Sequence, residues 1–144
     1  MLENIQTYLT RWQTDPKLVR PFFTRLLEVL RTPENALEFV EREGVSASLR
    51  AKVAGSGSAS GSAFGELFCL VDVVEDANGR WLSVCFYADT VSDPEEHGNL
   101  VPLGLLGEDG YCFDVEEPDP VLEGYVLERI GEARERVQAG RRRS

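Results

Sequence analysis

The strongest constraint on the fold lies in residues 66–89, where two β-rich runs meet at Asn78-Gly79. Asn-Gly favours a two-residue type I′ turn, because both central residues of that turn need positive φ. The sequence therefore predicts a β-hairpin. With Asn78-Gly79 as the turn, Ala77 opposes Arg80, Val74 opposes Ser83, Asp72 opposes Cys85 and Val71 opposes Phe86. Opposed residues share a face. One face then holds Leu67, Cys69, Val71, Val73, Leu82, Val84, Phe86 and Ala88, with only Glu75 polar, near the turn, which suits a core. The other holds Phe68, Leu70, Asp72, Val74, Asp76, Trp81, Ser83, Cys85, Tyr87 and Asp89, a mixture of apolar and polar groups.

The flanking segments follow from periodicity and punctuation. Ile5, Tyr8, Leu9 and Trp12 recur at helical spacing. Asp15-Pro16 reads as an N-cap followed by Pro, and Leu18, Phe22, Leu26 and Val29 form an apolar stripe. Pro21 either kinks this helix or marks its true start. Thr32-Pro33-Glu34 repeats the cap signature and predicts a third helix, with Leu37, Phe39 and Val40 turned inward and Gly44 ending it. From Val45 to Val53 apolar and polar residues alternate, which predicts a strand; a helix capped by Ser46 is the competing reading. Residues 54–63 hold only Gly, Ala and Ser and read as a flexible loop. They lack the Lys of a P-loop, and Ser60 stands where a dinucleotide loop needs its third Gly.

Leu100 to Leu106 is apolar but carries Pro102 and Gly104, so it is an edge strand at most. Residues 107–110 read as a turn and Tyr111 to Val115 as a short strand. Asp119-Pro120 opens a final helix with a stripe of Leu122, Tyr125, Val126, Ile130, Ala133 and Val137. Gly124 and Gly131 weaken that helix, and close packing on the sheet would account for them. The expected architecture is one α+β domain over 1–144. Residues 1–44 form a helical part, residues 45–118 an antiparallel sheet of four to five strands, residues 119–139 a C-terminal helix packed on the sheet, and residues 140–144 a tail.

The 144-residue chain carries 15 Lys and Arg against 25 Asp and Glu, a formal net charge of −10. The excess is local: residues 66–120 hold one basic residue, Arg80, and fourteen acidic ones, while the flanks are near neutral or slightly basic. This balance argues against nucleic acid and anionic membrane as partners, since both carry dense negative charge. It suits a solvated surface, an internal match to the Arg-bearing helices or tail, or a surface that attracts a basic protein segment. No run of about 18 apolar residues occurs and the N-terminus does not resemble a signal peptide. Three irregularly spaced cysteines do not make a disulfide framework, so a cytoplasmic setting is expected.

Several chemistries can be tested on the residues. Zinc would have to use Cys69, Cys85, Cys112 and His97, but no CxxC or HxxxH pair exists, and the hairpin sends Cys69 and Cys85 to opposite faces. Asp89, Asp93, Glu95 and Glu96 gather hard oxygen donors in one loop, without EF-hand order, and are the metal candidates. The mixed hairpin face is the ligand-binding candidate. There Asp72 and Cys85 would be neighbours, with Trp81, Ser83 and Tyr87 as aromatic and polar contacts. No nucleophile elbow is present, and no catalytic set or cofactor is expected. The leading expectation is a non-enzymatic binding or adaptor protein that engages a basic partner through its acidic sheet region. The alternative is a small-molecule or divalent-cation binding domain, even a minor enzyme, using the mixed hairpin face or the 89–97 loop. A homodimer is compatible with either.

Overall fold

The computed structural model describes residues 2–53 and 66–140. The expected loop at 54–63 and the end of the tail, 141–144, lie outside the described residues. The chain is α+β: the described residues form three helices and a six-stranded, wholly antiparallel sheet, more strands than expected. Helices α1 (Leu2–Arg11) and α2 (Arg20–Leu30) lead into strands β1 (Asn35–Arg42), β2 (Ser46–Val53), β3 (Leu67–Asp76), β4 (Gly79–Tyr87), β5 (Asn99–Leu105) and β6 (Glu108–Val115), and helix α3 (Pro120–Gln138) closes the chain. The spatial order is β1-β2-β3-β4-β6-β5.

Pro21 marks the start of α2 rather than a kink, since it lies in the first turn where backbone donors have no intrahelical partner. Asp15 is not the N-cap, which is Val19, and Pro16 lies before the helix; the Asp15 carboxylate instead accepts from the amides of Val19 at 3.1 Å and Arg20 at 2.9 Å. The expected third helix is a correction. Residues 35–42 are β1, paired along its length with β2. Leu37 and Phe39 alternate into the core while Glu38 and Val40 point the other way, a period of two that a spacing of three between Leu37 and Val40 conceals. Gly44, at φ +77°, turns the β1–β2 hairpin instead of ending a helix. The alternating segment after it is β2, as expected.

The 66–89 hairpin forms with a different turn. Asp76 opposes Gly79 and Asp72 opposes Ser83, so Ala77-Asn78 occupies the loop and Cys85 faces Leu70, not Asp72. The positive φ falls on Gly79 alone, at +120°, with the Asp76 carboxylate accepting from the Asn78 amide at 2.8 Å. That side-chain turn, and Pro16 packed where a Gly79 Cβ would sit (2.6 Å), override the type I′ preference. A slip of two residues preserves the faces. Only Phe68 and Leu67 exchange sides: a β-bulge opposite Ala51/Lys52 turns Phe68 into the core and Leu67 out.

The core lies between one sheet face and the helices. Trp12, Phe23, Leu26, Leu49, Val71, Leu82, Phe86 and Phe113 are fully enclosed in it. Asp119 caps α3 by accepting from the Leu122 amide at 3.1 Å, and Glu123 returns a bond by accepting from the Asp119 amide at 3.2 Å. The expected stripe is buried at Tyr125, Val126, Ile130, Ala133 and Val137. Gly124 and Gly131 are not close-packing sites, because a Cβ on either meets nothing within 4 Å.

Candidate functional site

Among the described residues the helices pack on the first sheet face only; the second carries no helix, but Leu67, Leu70, Cys85, Tyr87 and Leu105 are buried on it in a smaller apolar cluster. The residues of this second face form rows across the strands. One row runs Val40, Ser48, Asp72, Ser83, Asp114; the next runs Glu38, Arg50, Leu70, Cys85, Cys112, Asn99. In the β1–β2–β3 half the charges answer one another. Lys52 lies 3.3 Å from Glu38, Arg50 opposes Glu38 in register, and the Ser48 hydroxyl donates to the Asp72 carboxylate.

The β4–β6–β5 half has no such balance. Residues 89–119 hold ten carboxylates and no Lys or Arg. Arg80, the one base of residues 66–120, is turned to the covered face. There it lies 3.4 Å from Glu75, with its guanidinium over the rings of Trp12 and Tyr8. A recess of about 480 Å³ at the end of β6 is lined by Asp114, Glu116, Glu117 and Asp119 with Lys17 and Leu122. Asp119 is spent on the helix cap and Glu116 lies 4.0 Å from Lys17. The carboxylates of Glu96, Asp114 and Glu117 form no ion pair or hydrogen bond among the described residues.

The same half carries an exposed apolar group. Leu100, Val101, Leu103 and Leu106 are 55%, 37%, 71% and 57% exposed, and all lie on β5 or its turn into β6. Leu103 and Leu106 hold positive φ, +56° and +52°, a region costly for branched side chains. The Leu103 amide is fixed at 3.0 Å by the Asp109 carboxylate. Pro102 offers no N–H, and the β5–β6 register shifts between Val101 and Leu105. The outer edge is thus a poor template for strand addition, and it presents side chains instead.

The loop before β5 is held by Asp93. Its carboxylate accepts from the Tyr111 hydroxyl at 2.6 Å, the Tyr125 hydroxyl at 2.5 Å, and the amides of Gly98 at 2.9 Å and His97 at 3.0 Å. Desolvation works to raise its pKa, but these four donors together, led by Tyr111 and Tyr125, hold the carboxyl well below its usual range. The bond to Asp93, with burial second, pushes Tyr111 up to about 12. Burial, then the Asp93 bond, raises Tyr125. Gly98 lies against the Tyr111 and Phe113 rings, where a Cβ would approach to 2.7–2.8 Å. Arg129 of α3 donates to the Ser92 carbonyl at 3.1 Å, and Glu132 accepts from the Ser92 amide at 3.1 Å.

Of the metal candidates, Asp93 is therefore committed to holding the loop, while Asp89, Glu95 and Glu96 are exposed along it. Among the described residues no group of three or more His, Cys, Asp or Glu side chains is placed to hold a metal ion. His97 is exposed, with its ring edge-on to Tyr125 at 4.7 Å and Nε2 3.5 Å from Glu95. The ligand-binding candidates share the sheet face away from the helices, with Asp72 opposite Ser83, but their polar groups are engaged by protein partners or their side chains are buried. Trp81 is half-buried and donates to Asp76 at 3.2 Å, and Asp72 is paired with Ser48. The Ser83 hydroxyl lies 3.4 Å from the Cys85 sulfur. Tyr87 is buried among Leu67, Leu70 and Leu105. Cys85 is joined to Cys112 as a disulfide.

Sequence reasoning missed the two tyrosines that hold Asp93, and it missed the disulfide. The available signal for the second was that Cys85 and Cys112 each sit within an alternating β-rich run. The fold and this surface define a small α+β protein with one helix-covered sheet face and a second face that joins a small buried apolar cluster to a partly acidic surface. No helix of the described residues is long and apolar enough to cross a membrane. Comparison with family models, curated proteins and solved structures finds no match.

Proposed function

We propose that this protein is a non-enzymatic binding or adaptor module of the cytoplasm. It takes a basic segment of a partner protein on the acidic β5–β6 hairpin and its flanks. The observation that carries this reading is that four exposed aliphatic side chains, Leu100, Val101, Leu103 and Leu106, belong to a segment, residues 89–119, that holds ten carboxylates and no Lys or Arg. Apolar anchors within a field of one sign are what a partner with the opposite sign and its own apolar residues recognises. Self-association through the same surface would bring like charges together and is disfavoured.

The experiment uses a fluorescein-labelled synthetic peptide of alternating Lys and Leu as probe, read by anisotropy. Affinity is expected to fall more than tenfold between about 50 and 500 mM salt, because exposed charges are screened within a Debye length. The triple variant Glu96→Lys, Asp114→Lys, Glu117→Lys is expected to weaken binding further, and Leu103→Ser with Leu106→Ser to weaken it without changing the salt slope. Binding that ignores both salt and the triple variant contradicts the reading.

A further inference from the structure

Cys85 on β4 and Cys112 on β6 stand directly opposite each other, with Cα atoms 4.1 Å apart, and are joined across the ladder. They lie on the sheet face that no described helix covers, where Cys85 is buried in the smaller apolar cluster and Cys112 is only partly buried. Cys69 differs in place: it is enclosed in the main core on the other face, its thiol pushed up by burial. The bond is not what places the two strands. β4 and β6 keep register from Leu82↔Val115 to Tyr87↔Gly110, and Val84, Phe86, Phe113 and Val115 pack them to the helices from the far side. What the bond adds is a clamp at the root of the β5–β6 hairpin. The next residue outward from Cys112 in its row is Asn99, where the apolar run of β5 begins.

We infer that Cys85 and Cys112 form a reversible dithiol–disulfide couple that exchanges with low-molecular-weight thiols and tightens or loosens the β5–β6 hairpin. In the oxidising direction a thiolate of the pair attacks a small disulfide such as oxidised glutathione, forming a mixed disulfide and releasing one reduced glutathione. The second cysteine then displaces the other. The pair loses two electrons and two protons, and one glutathione disulfide becomes two glutathione thiols. Reduction reverses these steps through attack on the more accessible Cys112 sulfur. Two free sulfurs must stand further apart than a bonded pair, so the clamp opens while the ladder remains. A bond of this sort in a reducing compartment is a regulatory one. Its effect on partner binding rests on the function proposed above; the exchange itself does not.

The test equilibrates the full chain in glutathione buffers of graded poise, quenches with acid, alkylates in denaturant and counts adducts by intact mass. The expected count passes from one (Cys69) to three across the glutathione range. Amide hydrogen exchange over residues 99–115 should be several-fold faster in the reduced form and in the Cys85→Ser, Cys112→Ser double variant, with β2 and β3 unchanged. A count fixed at one or at three throughout overturns the inference. So does loss of cooperative unfolding on reduction, which would make the bond a scaffold, or equal hairpin exchange in both forms. None of these readouts uses a partner, so they fail independently of the salt-dependent binding test.

Discussion

The two halves of the sheet face away from the helices use charge in opposite ways. On β1, β2 and β3, the cations Arg50 and Lys52 stand against Glu38, and Asp72 is bonded by Ser48. On β4, β6 and β5 and the loops that flank them, the base Arg80 is turned away to α1, and Asp114, Glu96 and Glu117 have no counterion among the described residues. In the first half Lys52 pairs with Glu38 and Ser48 with Asp72, while the Arg50 Nε is buried without a hydrogen-bond partner among the described residues. The second is acidic by construction and carries the exposed aliphatic residues as well. Within it uncharged donors hold the Asp93 carboxylate, the Leu103 amide donates to Asp109, and Glu116 lies 4.0 Å from Lys17.

That contrast can be broken in order of expected effect. Asp93→Ala removes the acceptor of four donors and is expected to cost roughly 2–3 kcal/mol in urea unfolding, since a bond to a charged group contributes about 1.5–3 kcal/mol and this site is partly solvated. An effect below about 0.5 kcal/mol would mean that Asp93 does not organise the acidic half, as that is the scale of an ordinary surface change. In the balanced half, Lys52→Ala is expected to cost no more than about 1 kcal/mol, the usual value of an exposed pair.

The pH profile sharpens the same point. Asp93 is held below its ordinary value in the folded protein. It therefore contributes stability that is complete above the unfolded carboxyl pKa of about 3.9 and is lost as pH falls through the folded one. Tyr111 has the opposite sign: raised to about 12, its contribution is complete below the unfolded tyrosine value and lost as pH rises through about 12. Urea midpoints from acid to alkaline pH should show both limbs, each reduced in Asp93→Asn. Unchanged limbs in that variant would place their origin elsewhere. The smallest effect lies outside both halves. Gly131→Ala on α3, where the added Cβ meets nothing, should stabilise by up to about 1 kcal/mol in thermal or urea unfolding. Destabilisation there would mean the open space is not free.

Local chemistry made much of this legible. The alternation in β2, the Asp119-Pro120 cap and the hairpin faces are properties of short segments, and they appear where the residues place them. β1 was not legible, because Leu37, Phe39 and Val40 fit both periods. Its pairing with β2, not its own propensity, decides the matter. Phe68 reached the core through a bulge that no local pattern announces. Within the site, the concentration of acid could be counted from the sequence. The bonding of Asp93 by Tyr111 and Tyr125 could not, since it joins residues 18 and 32 positions away. The same is true of Cys85 and Cys112, separated by 27.

The most direct test of the contrast is chemical-shift mapping on ¹⁵N-labelled protein titrated with the Lys-Leu probe peptide at low salt. The account predicts perturbations concentrated on Leu100–Asp109, Asp114 and the 95–98 loop, fading as salt is added. It predicts little change at Ser48, Arg50 and Lys52. Shifts centred on the β1–β2 half, or spread evenly over both halves, would contradict it.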